Sequence, residues 1–207
     1  MKEYSFLISL LVVFITLSAC SNDIPRLSPL TQESTILSFG DSLTYGTGTS
    51  VDQSYPSILS QLTGINIIND GVPGEITASG RLRLKKSLKK YQPNLVILCH
   101  GGNDLIQKLD PEQTKKNLEN MINMIHETGS EVVLLAVPRP GLLLRPAPYY
   151  KELADKYGLP LEEDVLAEVL ADRTQKSDPA HPNDLGYKKI ALEISALLIE
   201  AKAIKQR

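Results

Sequence analysis

From residue 34 onward, short apolar runs alternate with stretches of helical periodicity. Ile36–Phe39, Ile65–Ile68, Leu95–Cys99 and Val132–Val137 are almost unbroken apolar runs. Runs this short, closed by Gly, Pro, Asn or Asp, read as strands covered on both faces. Between them, Tyr55, Ile58, Leu59 and Leu62 predict one helix, and residues 75–91 a second with Leu82, Leu84 and Leu88 partly buried. Asp110-Pro111-Glu112-Gln113 reads as a helix start, with an N-cap carboxylate, proline at the first position and a capping-box glutamine. Leu118, Met121, Ile122 and Ile125 carry that helix to Gly129. Residues 138–148 are proline-rich and place Leu142-Leu143-Leu144 in an apolar loop at a strand exit. Helical patterns resume over 149–157 and 161–170, with a very short strand near Leu159. The last helix carries Tyr187, Ile190, Ala191, Ile194, Leu197 and Leu198. Strands alternating with helices predict a parallel sheet in a three-layer α/β/α domain.

The first 33 residues break this rhythm. Lys2 precedes a mainly apolar stretch, Phe6 to Leu17, which is shorter than the roughly 20 residues a spanning helix needs. It has the position and length of a signal-peptide core. It runs into Leu17-Ser18-Ala19-Cys20, which resembles the lipobox of bacterial lipoproteins. That resemblance implies diacylation of the Cys20 thiol and cleavage before it. Residues 1–19 are then a signal peptide, 20–33 the lipidated cysteine with a Pro- and Ser-containing solvated tether, and 34–207 the domain. The implied location is the bacterial cell envelope, with a lipid anchor in the membrane. Ser21 after the cysteine points to the outer membrane under enteric-type sorting rules.

Composition narrows the partners. The chain has 207 residues, enough for one well-cored domain, and a formal net charge of -2, which leaves no electrostatic footprint for nucleic acid. Two cysteines, Cys20 and Cys99, make no disulfide framework. Three histidines without CxxC or HExxH spacing offer a metal little to bind, so no metal and no cofactor are expected. Gly46-Thr47-Gly48 lacks both GxGxxG and a Gly-Lys-Ser/Thr end, which argues against a phosphate cradle. Arg81, Lys85 and Lys89 form a basic stripe that reads as a solvated helix face. A monomer is expected.

Four stretches fall at or beyond predicted strand ends, where open α/β sheets bind ligands. They are Gly40-Asp41-Ser42-Leu43, Gly71-Val72-Pro73-Gly74, Gly101-Gly102-Asn103-Asp104 and Asp178-Pro179-Ala180-His181-Pro182-Asn183. A serine hydroxyl such as that of Ser42 is a poor nucleophile unless a base lies within hydrogen-bond reach. Histidine suits the task, since its ordinary pKa is about 6.5. His126 falls inside a predicted helix, away from the strand exits. His100 ends the third strand and could face the site, but it has no acid near it in sequence, so it reads first as a pocket wall and only second as the base. His181 has Asp178 three residues earlier, a spacing that suits one face of a helical turn, where the carboxylate orients the ring. His181 is therefore the predicted base and Asp178 its orienting acid. A developing oxyanion needs fixed donors. The Asn103 side-chain amide can donate, and Gly74 can bring a bare backbone N–H close to a ligand.

The four blocks, in this order, resemble the SGNH hydrolase superfamily, also called GDSL esterases/lipases, from about Ser34 to the end of the chain. Asn69 to Thr77 and Leu98 to Asp104 most resemble bacterial arylesterases and the multifunctional thioesterase/lysophospholipase group. The resemblance implies a flavodoxin-like fold with a five-stranded parallel sheet. It implies Ser42 as nucleophile, His181 as general base and then acid, and Asp178 orienting His181. The backbone N–H groups of Ser42 and Gly74, with the Asn103 side chain, form the implied oxyanion hole, and Asp41 stabilises the loop without joining the triad. His100 stands where the family varies, Pro73 stiffens the loop before Gly74, and Leu142 to Arg145 lie where related enzymes shape the acyl pocket.

The expected activity is hydrolysis of carboxylic esters through an acyl-enzyme on Ser42, of arylesterase, lysophospholipase or acyl-thioesterase type. The expected substrate is a small ester or a lipid. Two alternatives stand beside it. A carbohydrate O-acetyl esterase uses the same constellation with a smaller pocket. A non-catalytic glycan- or lipid-binding lipoprotein would keep the fold alone, and the complete set of Ser42, Gly74, Asn103, Asp178 and His181 counts against it.

Overall fold

In the computed structural model, which describes residues 24–206, the apolar runs form strands. β1 (Thr35–Gly40) leads through the short α1 (Ser42–Tyr45) and α2 (Tyr55–Thr63) into β2 (Asn66–Gly71). α3 (Thr77–Tyr91), β3 (Leu95–Cys99), α4 (Gly102–Ile106), α5 (Pro111–Glu127) and β4 (Glu131–Leu135) follow. The chain closes with β5 (Pro138–Arg139), β6 (Arg145–Pro146), α6 (Pro148–Tyr157), β7 (Leu161–Glu162), α7 (Val165–Ala171) and α8 (Asp184–Glu200). Five strands make a parallel sheet in the order β2-β1-β3-β4-β7. α2 and α8 pack together, as do α3 and α5, and these two pairs cover the two faces of the sheet. The expected α/β/α layering and five-stranded parallel sheet are therefore present.

The order of strands explains where a site can form. The chain leaves β1 for β2 on one side and then returns past β1 to β3 on the other. At such a reversal, the two loops that leave the carboxyl ends part company and open a crevice. Gly40 is level with Gly71 in β2 and with Cys99 in β3, so three exit loops start from one height.

Packing holds these ends in place. Every residue of β3 is buried, as are Ile36, Leu37 and Phe39 of β1. Burial of each such apolar side chain contributes about 1.5–3 kcal/mol. α5 begins as expected, with Asp110 Oδ1 accepting from the Glu112 N–H at 3.0 Å and Pro111 in the first turn. Gln113 does not close a capping box; its amide donates to Asn117 Oδ1 at 3.1 Å.

The structure differs from the sequence expectations in several places. β2 runs on to Gly71, and α3 begins at Thr77 rather than at residue 75. Leu82, expected to be partly buried, is 67% exposed on the outer side of α3. The fourth strand stops at Leu135, and the proline-rich stretch after it forms a small antiparallel hairpin of β5 and β6. The helix expected over 161–170 begins only at Val165, because Leu161 and Glu162 pair with Leu134 and Leu135 as the fifth strand.

The segment read as a solvated tether is held against the domain where it is described. The Leu27 N–H donates to the Ala201 carbonyl at 2.8 Å, and the Leu30 N–H to the Ala203 carbonyl at 2.7 Å. The Ser28 N–H donates to the Glu131 carboxylate at 2.9 Å, while Ile24, Leu27 and Leu30 pack on the core. Cys20 and the expected signal peptide lie outside the described residues.

Candidate active site

The site is built outward from the end of β1. A Cβ on residue 40 would sit 2.0 Å from the Cys99 carbonyl oxygen and 2.3 Å from Thr44 Oγ1, so only glycine lets β1 turn this close to β3. Asp41 is buried just beyond the turn and caps α1, its Oδ1 accepting from the Leu43 N–H at 3.0 Å. Burial pushes its carboxyl upward from the usual range, opposed by the nearby His100 imidazole and by the amides of Leu43 and Gly102. Ser42 is the first residue of α1, where backbone N–H groups have no partner within the helix.

Ser42, His181 and Asp178, drawn from two distant parts of the chain, meet here. Ser42 Oγ lies 2.9 Å from His181 Nε2. His181 Nδ1 lies 2.8 Å from Asp178 Oδ2 and 3.0 Å from Oδ1. An ionised carboxylate only accepts, so Nδ1 carries the hydrogen and Nε2 is left to accept from the serine hydroxyl. The sequence suggested a helical turn for Asp178 and His181. They instead occupy a tight loop, in which Asp178 Oδ1 accepts from the Ala180 N–H at 2.7 Å and the His181 N–H at 2.9 Å. Partial burial would raise the Asp178 carboxyl, but the hydrogen bonds from the Ala180 amide and from His181 outweigh it and hold it below the usual range. Asn183 fixes the far side of the loop by capping α8, accepting from the Gly186 N–H at 3.2 Å.

Asn103 sits in the first turn of α4, beside this line. Its Nδ2 donates to the Glu75 carbonyl at 3.0 Å and reaches Asp41 Oδ2 at 3.4 Å. Gly74 lies in the loop between β2 and α3, next to Glu75. A Cβ there would meet nothing within 4 Å, so crowding does not select glycine; the backbone φ of +79° does. Asp104, the last residue of the same block, is buried and caps α3 from outside. It accepts from the Thr77 N–H at 2.8 Å and from Thr77 Oγ1 at 2.5 Å.

Sequence reasoning missed a charged cluster behind these loops. The Glu75 carboxylate accepts from Arg83 Nη2 at 2.7 Å and Nε at 2.9 Å, and lies 3.1 Å from His100 Nε2. Arg83 also pairs with Asp70 at 2.8 Å and stacks over the Phe39 ring at 4.0 Å. His100, read first as a pocket wall and second as the base, is neither: it is 0% exposed and lies behind the site. Burial would raise the Glu75 carboxyl, yet hydrogen bonds from His100 and Arg83 and the Arg83 charge bring it down from 4.5 to about 2. A depressed carboxyl stabilises the fold above its unfolded pKa, and that contribution is lost as pH falls through the folded value. Glu75→Gln is therefore expected to lower Tm at pH 7, with the deficit shrinking between 4.5 and about 2. Thermal melts across that range check this, and a deficit independent of pH contradicts it.

Ser42 and His181 open onto a cleft of about 340 Å³, whose other walls include Ile106, Val137, Pro140, Leu144 and Leu170. The walls are mostly apolar, and Asp41, Ser42, Asn103 and His181 supply polar groups. A larger open groove of about 840 Å³ lies beyond the hairpin, among Arg145, Lys151, Glu152 and Glu168, and touches neither residue. Among the described residues, no three His, Cys, Asp or Glu side chains converge to hold a metal ion.

Comparison with known proteins agrees with this fold. Residues 38–189 match the GDSL-like Lipase/Acylhydrolase family. The chain is 28% identical over 157 residues to thioesterase 1/protease 1/lysophospholipase L1 of Escherichia coli K12, covering 72% of this chain and 76% of that protein. It is 31% identical over 135 residues to an arylesterase of Vibrio mimicus, covering 63% of each. Among solved structures, TesA superposes with a TM-score of 0.74 at 23% identity, over 81% of this chain and 99% of that one. The SGNH-hydrolase family esterase AlinE4 superposes with a TM-score of 0.62 at 32% identity, over 83% and 98%.

Proposed function

Because the chain belongs to the GDSL-like lipase/acylhydrolase family and is an ester hydrolase, we propose that it works through an acyl-enzyme on Ser42. The observation that carries this reading is the Ser42–His181–Asp178 line, with Oγ 2.9 Å from Nε2 and Nδ1 2.8 Å from the carboxylate. His181 Nε2 takes the hydroxyl proton as Ser42 Oγ bonds to the ester carbonyl carbon. The carbonyl oxygen becomes an oxyanion, held by the backbone N–H groups of Ser42 and Gly74 and by Asn103 Nδ2. Collapse of this intermediate breaks the bond to the leaving alcohol or thiol, which takes the proton from His181. Water, deprotonated by His181, then attacks the acyl carbon, and Ser42 recovers its hydrogen as the acid departs. Asp178 keeps the ring in the tautomer that these transfers need.

The walls of the cleft support a short-to-medium acyl or an aryl group. Its volume of about 340 Å³ is at the small end of the roughly 300–1,000 Å³ range of ligand pockets. Each methylene buried against such walls is worth about 0.8 kcal/mol. For p-nitrophenyl esters, kcat/KM is expected to rise about tenfold from acetate to butyrate and to fall again for palmitate. A sharp maximum at acetate contradicts this and favours an O-acetyl esterase.

We also propose that Leu17-Ser18-Ala19-Cys20 is a working lipobox, so that the mature chain is anchored in the cell envelope through Cys20. The support is the apolar stretch that precedes small residues and a cysteine. Labelled palmitate is expected to incorporate into the full-length chain and to be lost in Cys20→Ala. No incorporation, or membrane association that survives Cys20→Ala, contradicts the anchor.

A further inference from the structure

One buried imidazole touches both loops that carry donors for the oxyanion. On one side of the His100 ring, Nδ1 accepts from the Gly101 N–H at 3.0 Å, at the start of the Gly101-Gly102-Asn103-Asp104 loop. On the other, Nε2 lies 3.1 Å from the Glu75 carboxylate, next to Gly74. Because Nδ1 accepts, Nε2 carries the hydrogen and donates to Glu75. We propose that His100 is a positioning residue that joins the Gly74 and Asn103 loops and fixes the spacing of two oxyanion donors. This rests on the oxyanion roles of Gly74 and Asn103 proposed above.

The contacts form a closed circuit. Glu75 grips His100 with its carboxylate, while its own carbonyl accepts from Asn103 Nδ2 at 3.0 Å. Asn103 lies two residues beyond the Gly101 amide that His100 holds. The two loops are thus linked twice, once through the ring and once through the Asn103 amide. The carboxylate is itself a fixed partner, because Arg83 binds it with both Nε and Nη2. From the other direction, the Tyr150 hydroxyl donates to the His100 carbonyl at 2.7 Å. α3 makes room for the ring at Gly80, where a Cβ would sit 2.3 Å from His100 Nε2. A rigid ring with an acceptor on one side and a donor on the other suits this bridge. An aliphatic side chain of similar size would fill the space and join nothing.

The test compares His100→Leu, His100→Gln and Asn103→Ala in the full chain, well below each Tm, with p-nitrophenyl butyrate as substrate. The rate of Ser42 phosphorylation by diethyl p-nitrophenyl phosphate is measured alongside, since its adduct places an oxygen where the oxyanion forms. His100→Leu is expected to lower kcat by about 10- to 100-fold, the scale of a small misplacement in a catalytic site, and to slow phosphorylation in parallel with KM little changed. His100→Gln, which keeps one donor and one acceptor, is expected to recover part of the loss. Added to Asn103→Ala, His100→Leu is expected to cost far less than it does alone. If His100→Leu lowers Tm but leaves kcat intact, the bridge is overturned. If its loss multiplies fully with that of Asn103→Ala, the bridge is likewise overturned. If Asn103→Ala itself retains full kcat, the oxyanion reading fails first, and this inference with it. Where His100→Leu does not fold, Glu75→Gln weakens the same bridge, and an unchanged kcat there overturns the proposal.

Discussion

Replacing Ser42 with alanine is expected to lower kcat for a p-nitrophenyl ester by about 10⁴- to 10⁶-fold. The reason is geometric. The Ser42 hydroxyl is 2.9 Å from His181 Nε2, and no other hydroxyl among the described residues donates to that nitrogen. The hydroxyl contributes little to folding, so Tm is expected to stay within about 2 °C. His181→Ala is expected to cause a loss of similar size, because a serine hydroxyl is a poor nucleophile without a base. The double variant should be no worse than either alone, as for residues that act as one unit. Steady-state kinetics and thermal melts on the three variants check this. A Ser42→Ala protein with appreciable activity, or losses that multiply, contradicts it.

Asn103→Ala carries the second large effect, an expected fall in kcat of about 10²–10³ with KM little changed. In the structure the Asn103 amide rests on the Glu75 carbonyl and reaches towards Asp41. In the proposed oxyanion role it would turn from these acceptors to an oxygen that carries charge only as the reaction proceeds. An interaction made in the transition state and absent with bound ester lowers kcat when removed and leaves KM alone. Asn103→Asp is expected to be worse than alanine, since a carboxylate has no hydrogen to donate and repels the oxyanion. A raised KM with kcat intact would instead assign Asn103 to holding the ester in its ground state.

Much of this was legible in the sequence because Ser42 and Asn103 follow closely on the ends of β1 and β3. A strand that ends in Gly40-Asp41-Ser42 announces a sharp turn with a hydroxyl at the sheet edge, and the alternation of apolar runs announces the sheet. Asp178 and His181 were visible as a pair because an acid three residues before a histidine brings the two together in several local conformations. For the same reason the conformation itself was misread, and a tight loop took the place of a helical turn. The very short strand expected near Leu159 lies at Leu161–Glu162, its place misread because two residues carry no periodicity. The Glu75–Arg83–His100 cluster was hidden more deeply. It draws one residue each from a loop, a helix and a strand end, at separations of 8 and 25 residues, and no local pattern records such contacts. His100 looked isolated because its acid is near only in space. Glu131 likewise gave no sign that it would hold Ser28, so a segment that read as a solvated spacer lies against the domain.

Reaction with a fluorophosphonate probe, followed by peptide mass spectrometry, tests the proposed acyl-enzyme most directly. One probe per chain, on the peptide carrying Ser42, with hydrolysis lost in proportion to labelling and no labelling of Ser42→Ala, is the predicted result. Ester hydrolysis that persists while Ser42 stays unlabelled, or a stoichiometric adduct on another residue, would contradict it.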